Sequence, residues 1–235
     1  MRAQALTLAA AGAAALFVPA TLTEPAVAVR PRGAAVSRSE GRVAAADLLA
    51  RLRHCVPVSH GRYRTDSASS AKVRVCGTRE VVFWKADMDI DCDGRPTARC
   101  NRRTDPLFSA ATAYQQSDGR HLSAERLPYI VVPARSGIWN PRAHGVRGGS
   151  VAAVVYRDTV RYAVVGDTGP HDIIGEASYA TARALGIPTD PRTGGVPSGV
   201  TYIVFKGAPV TSIENHAEAV ARGERLARRL VRDGG

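Results

Sequence analysis

The chain divides into short apolar runs separated by polar, Gly- and Pro-rich punctuation, and runs with strand character outnumber those with helical spacing. Val73 to Val75, Val81 to Trp84, Tyr129 to Val132, Val151 to Tyr156, Arg161 to Gly166 and Val200 to Phe205 are rich in β-branched and aromatic side chains. Turn formers bound them, which predicts strands. Arg157-Asp158-Thr159 predicts a hairpin turn between two of these runs, while Thr65 to Ala71 and Pro188 to Gly199 predict loops. Three segments carry helical spacing. Ala44 to Arg53 puts Leu48, Leu49 and Leu52 on one face, and Gly175 to Leu185 is stopped by Gly186 and Pro188. Ser212 to Arg232 starts with Ser212 as a cap and aligns Ile213, Ala217, Val220, Leu226 and Leu230, slipping near Gly223. The expected fold is mainly β, of α+β class: a compact β-barrel with peripheral helices, a double-psi-like barrel being the nearest analogy.

Residues 1–28 stand apart from this pattern. Arg2, an apolar run from Ala3 to Val18 and the small-x-small triplet Ala26-Val27-Ala28 read as a cleavable secretory signal peptide. The apolar run is too short for a membrane anchor, so the expected location is extracellular. Residues 29–53 then form an N-terminal arm and short helix, and 54–235 a single catalytic domain. In an exported chain, Cys55, Cys76, Cys92 and Cys100 suggest two disulfides. Three pairings exist, and the local pairs Cys55–Cys76 and Cys92–Cys100 are favoured because each closes a short polar loop. No CxxC pair or nearby His pair supports a metal instead, and no cofactor is expected.

The net charge of +11 is concentrated early: residues 30–80 hold eleven basic and four acidic side chains, whereas residues 81–100 and 157–190 are locally acidic. Only Lys72, Lys85 and Lys206 are lysines. No RNP, helix-turn-helix or finger pattern accompanies the charge, so a solvated basic surface is a better reading than nucleic-acid binding. The expected protein is a monomer with neither nucleic acid nor membrane as partner.

Two acidic stretches carry the candidate chemistry. If the Val81 strand continues, period-two alternation puts Val82, Trp84, Met88 and Ile90 on one face. Lys85, Asp87, Asp89 and Asp91 then share the other with Phe83. Stacked carboxylates need an offsetting cation, for which Lys85 and a substrate amine are candidates. Asp89-x-Asp91-x-Asp93-Gly94 also copies the opening of an EF-hand loop, but Cys100 occupies the twelfth position and no helix pattern precedes it. In the second stretch a strand runs into Asp167 and a Gly/Pro turn, after which Glu176 opens a helix. Glycoside hydrolysis requires such a pair of carboxyls, one protonated and one ionised. The plain alternative is a turn-fixing Asp and a Glu at a helix start.

From about Cys55 to Ala227 the chain resembles the chitosanases of glycoside hydrolase family 75. The resemblance is carried by Tyr63–Ser70, Phe83–Gly94, Gln116–Gly119, Leu127–Pro133, Ala163–Pro170, Ile174–Ala180 and Ser198–Phe205. It implies endo-cleavage of chitosan, a β-1,4-linked glucosamine polymer, with inversion, Glu176 as general acid and Asp167 as general base. Asp87, Asp89, Asp91 and Asp172 would line a groove for the cationic sugar chain, and Lys85 and Tyr129 would join the substrate-binding residues. Trp84, Trp139 and Tyr129 are candidates for stacking on sugar faces. Two other functions remain open: cleavage of peptidoglycan glycan strands, by analogy with other double-psi barrels, and non-catalytic polysaccharide binding.

Overall fold

A computed structural model describes residues 40–233. The expected signal peptide and all of the arm before residue 40 lie outside the described residues. Seven strands and three α-helices follow in the order α1 (Ala45–Ala50), β1 (Cys76–Gly77), β2 (Val81–Asp91), β3 (Tyr129–Pro133), β4 (Ser150–Tyr156), β5 (Thr159–Gly169), β6 (Glu176–Ser178), α2 (Tyr179–Leu185), β7 (Val196–Pro209) and α3 (His216–Asp233). A 3-10 turn, Pro141–His144, lies between β3 and β4.

The strands are hydrogen-bonded in the order β1-β2-β6-β3-β5-β4-β7, and β7 pairs back onto β2. Six strands therefore close into a barrel of mixed sense, with β2/β6 and β3/β5 parallel and the remaining ring pairs antiparallel. Closure removes the unpaired edges that an open sheet would expose. The β4/β5 hairpin turns through Arg157 and Asp158, and Arg157 takes a left-handed φ of 55°, uncommon without glycine.

Alternation along the strands makes two apolar layers. One gathers Phe83, Tyr129, Val131, Val151, Tyr162, Val164 and Phe205 under α1 and α3. A helix of 18 residues cannot fit inside a six-stranded ring, so this layer is the outer one. The other layer gathers Val82, Trp84, Met88, Ile130, Val154, Val165 and Tyr202. There Trp84 stacks on Tyr202 at 5.3 Å and meets Trp139 edge-on at 6.3 Å. Both tryptophans are buried, so they belong to the core and not to a sugar-binding surface.

Two helix starts differ from expectation. The segment from Gly175 does not begin as a helix: Glu176–Ser178 inserts as β6 between β2 and β3. Ser178 then caps α2 by accepting from the Thr181 N–H, while its hydroxyl also accepts from the Tyr129 N–H and donates to the Leu127 carbonyl. Helical spacing was overridden by two waiting strands whose backbone groups needed partners. At α3 the cap is Asn215, whose Oδ1 accepts from the Glu218 N–H, and not Ser212. The face that α3 buries runs through Ala219, Gly223, Ala227 and Leu230. Gly223 sits where it does because a Cβ there would come within 2.3 Å of the Tyr162 ring. Disulfides join Cys55 to Cys76 and Cys92 to Cys100. Among the described residues no helix is long and apolar enough to cross a membrane.

The tight α3–β5 contact makes a first prediction. Gly223→Leu should lower stability by about 1–3 kcal/mol through overpacking against Tyr162, read as a reduced urea midpoint with an unchanged m-value.

Candidate active site

The barrel register brings four residues into one row. Asp89 on β2 pairs with Glu176 on β6, and Ile130 on β3 pairs with Ala177, which sets Val131 opposite Glu176. On its other side Val131 pairs with Asp167 on β5. Asp89, Glu176, Val131 and Asp167 thus cross four neighbouring strands side by side. Strands lie about 4.8 Å apart, so the backbones of Asp167 and Glu176 are separated by roughly 10 Å, with Val131 between them. All four residues line one cleft of about 560 Å³.

Among the described residues, that cleft is lined by six carboxyl groups, Asp89, Asp91, Asp93, Asp105, Asp167 and Glu176, against a single cation, Arg192. The guanidinium of Arg192 donates to the Thr104 carbonyl at 3.1 Å and the Arg103 carbonyl at 2.7 Å, stapling two loops together at the rim. Asp105 accepts from the Leu107 N–H at 2.8 Å, and this turn leaves the Leu107 side chain 90% exposed at the cleft.

The carboxyls differ in what surrounds them. Burial, then the charges of Asp89, Asp93, Asp167 and Asp105, push Glu176 up to about 8. Its Oε2 lies 3.4 Å from where a Cβ on Gly169 would be, so the side chain lies over the backbone just beyond Asp167. Burial also raises Asp167, but its Oδ1 accepts from the Ala113 N–H at 2.8 Å and the Thr168 N–H at 2.7 Å, and nearby His121 pulls the same way. Those donors favour its ionised form. Asp93, pushed up to about 6 chiefly by burial, accepts from the Ser109 N–H. Asp91 is fully enclosed and is raised by burial and by Glu176, while its Oδ1 accepts from the Asp93 N–H at 2.6 Å.

The remaining expected site residues separate into cleft, support and elsewhere. Asp89 is exposed in the cleft. Asp87 is buried beside Gly175, and its Oδ1 has no hydrogen-bond partner; burial and then the Asp89 charge push it up to about 8. Gly175 has φ +121°, and a Cβ there would fall 1.9 Å from that oxygen, so only glycine fits. Tyr129 corrects the expectation of sugar contact: it has no exposed surface, and its hydroxyl donates to the Asp93 carbonyl from beneath the acidic row. Lys85 does not offset the acidic row either, because it faces a separate groove with other cations. Asp172 lies outside the cleft lining and pairs with Arg64 at 3.8 Å. The EF-hand alternative fails because Asp89 and Asp91 stand on a continuous strand, with no helix leading into the loop. Asp105, Leu107 and Arg192 escaped sequence reading; they sit in aperiodic loops whose only signal was turn chemistry.

Comparison with known proteins follows the same map. A family profile described as fungal chitosanase of glycosyl hydrolase group 75 matches residues 88–228. The chain belongs to glycoside hydrolase family 75. The matched span holds every cleft-lining carboxylate, whereas Lys85 and Asp87 precede it. An endo-chitosanase of Aspergillus oryzae is 34% identical over 135 residues, covering 52% of this chain and 54% of the relative. An endo-chitosanase of Aspergillus fumigatus is 33% identical over 128 residues, covering 51% and 53%. Endo-chitosanase C of A. oryzae is 32% identical over 127 residues, covering 52% and 30%. The family 75 chain thus spans about half the length, or less, of these curated relatives.

The crowded carboxyls make a pH prediction. A carboxyl whose folded pKa exceeds its unfolded value holds a proton that the unfolded chain releases, so stability falls as pH rises between the two. For Asp87 that window runs from 3.8 to about 8, and for Glu176 from 4.5 to about 8. The melting temperature should therefore decline from pH 5 to pH 8, and Asp87→Asn should flatten the decline. Calorimetry across that range, in buffers of fixed ionic strength, tests it.

Proposed function

We propose that this protein is a secreted, endo-acting, inverting glycoside hydrolase that cleaves chitosan, with Glu176 as general acid and Asp167 as general base. The observation that carries the reading is the pair of carboxyls flanking Val131 in one acid-lined cleft, within a chain of family 75. Inversion needs room for a water between acid and base, about 6.5–9.5 Å between carboxyls. Backbones roughly one strand apart on either side of β3 are compatible with that gap.

Electrostatics supports the division of roles. Glu176, pushed up to about 8, keeps its proton at the pH where it must deliver one to the leaving oxygen. Burial raises Asp167, while the two backbone N–H donors on its Oδ1 oppose that shift and favour the ionised form that the activation of water requires. Asp89 and Asp93 stand beside the acid and raise its pKa, and they also attract the protonated amines of a glucosamine chain. Exposed Leu107 offers the cleft an apolar surface suited to the hydrophobic face of a sugar ring. Asp87 and Tyr129 act from below, holding the strands that present the acids. Residues 1–28, as a cleaved export signal, put the enzyme where its polymer is.

Asp167→Asn and Glu176→Gln should each fold normally and lose about 10²–10⁴-fold in reducing-end release from chitosan. Proton NMR of the first products from the unmodified enzyme should show the α-anomer; a β-anomer at early time would refute inversion. The alkaline limb of the rate profile should fall near pH 8, where Glu176 ionises. Asp89→Asn removes a neighbouring negative charge, so it should move that limb to lower pH. A limb that stays in place would mean that Glu176 is not the acid.

A further inference from the structure

A second groove, of about 780 Å³, lies beside α1 and the start of β2, away from the acidic cleft. Arg62, Lys72, Arg74, Lys85 and Arg157 line it, and among the described residues no carboxylate does. All five side chains are exposed. Arg62 reaches only the Lys72 carbonyl, at 3.4 Å, and Arg157 lies over the Tyr156 ring at 4.9 Å. The Cys55–Cys76 disulfide forms part of the wall and ties the loop carrying Arg62, Lys72 and Arg74 to the barrel. Five cations gathered without a counter-charge repel one another, an arrangement that an anionic ligand relieves.

We propose that this groove docks an acidic polysaccharide, a glycan chain bearing carboxylates, at a site separate from the acidic cleft. Charge complementarity selects an anion, and the rest of the lining selects its kind. Leu49, 37% exposed, offers an apolar surface beside the cations, over the buried Leu52 and Val73. A sugar polymer matches that combination, because each ring has an apolar face and a pendant acid. Polyphosphate would leave Leu49 uncovered. Single-stranded nucleic acid binds through stacking on exposed aromatics, but the groove's own Phe83 and Trp84 are buried. The chain's preceding segment is a poor occupant, since residues 29–39 carry Arg30, Arg32 and Arg38 and no acid. Guanidinium groups suit carboxylates because they bind them through two parallel hydrogen bonds. The proposal does not depend on which polymer the acidic cleft cleaves.

The test is affinity electrophoresis and calorimetry of the full chain with polygalacturonate, with neutral dextran, inorganic polyphosphate and oligo-dT as comparison arms. Polygalacturonate should bind and dextran should not. The triple variant Arg62→Ser, Lys72→Ser, Arg74→Ser should lose on the order of tenfold in affinity, as expected for three exposed charge contacts. A control removing equal charge elsewhere, Arg126→Ser, Arg225→Ser, Arg229→Ser, should lose less than twofold. Leu49→Ser should weaken polygalacturonate and leave polyphosphate unaffected. Circular dichroism establishes that each variant is folded. Equal losses in the two triple variants, tighter binding of polyphosphate or oligo-dT than of polygalacturonate at matched salt, or no binding at all would each overturn the proposal.

Discussion

Everything at the site follows from the cost of holding like charges together away from water. Asp89, Glu176 and Asp167 occupy registered positions on β2, β6 and β5, with β3 between the last two, Asp91 at the end of β2 and Asp93 just beyond it. Ionising all of them at once would cost many kcal/mol in a partly desolvated cleft. The cluster therefore keeps protons, and it keeps them unevenly. Where backbone N–H groups converge, at Asp167, negative charge is tolerated; where only other acids face the group, at Glu176, the proton stays. In the proposed mechanism, acid and base would be distinguished by the donors around them rather than by their own chemistry.

The same constraint accounts for the uneven charge of the molecule. A surface of net charge +11 would repel a cationic polymer at long range. Within about 10 Å, a Debye length at moderate salt, the local field decides, and in the cleft that field comes from six carboxylates and one arginine. Lys85, four residues before Asp89 on β2, already belongs to the opposite regime. One strand thus runs from a basic groove into an acidic one. Its alternation puts Lys85 and Asp89 on one side of the chain, and distance along the strand, about 3.3 Å per residue, keeps their environments apart.

Much of this was legible in the sequence, and the failures have physical causes. Runs of β-branched and aromatic residues bounded by turn formers located the starts of β2, β3, β4 and the hairpin, because strands buried on both faces read as continuous apolar runs. The two-carboxyl loop was visible as Asp167 and Glu176, and short cysteine spacings favoured the disulfide pairs that form. β6 was not legible. Three residues carry no period, and their strand identity comes from β2 and β3, which lie far away in sequence. Tyr129 and Lys85 were misread for a related reason: alternation says which face a residue takes, not whether a helix, a loop or solvent covers that face. Asp105 and Arg192 meet at the cleft only through loop closure, which leaves no local pattern.

The short β6 also explains why Gly175 is indispensable to the geometry. Glu176 must enter β6 already in register with Asp89, directly after the connection through residues 170–175. Gly175, the residue before it, takes φ +121°, and the space of its missing side chain is filled by the Asp87 carboxyl, whose Oδ1 has no hydrogen-bond partner among the described residues. An unpaired buried oxygen is unfavourable, and ionisation would make it worse, which fits the upward shift of Asp87 to about 8. Asp87 and Glu176 thus favour the same protonated regime: the acid that would serve the reaction and the carboxyl packed under its strand both lose their protons near the same pH. Rising pH therefore acts on the chemistry and on the turn that positions it together.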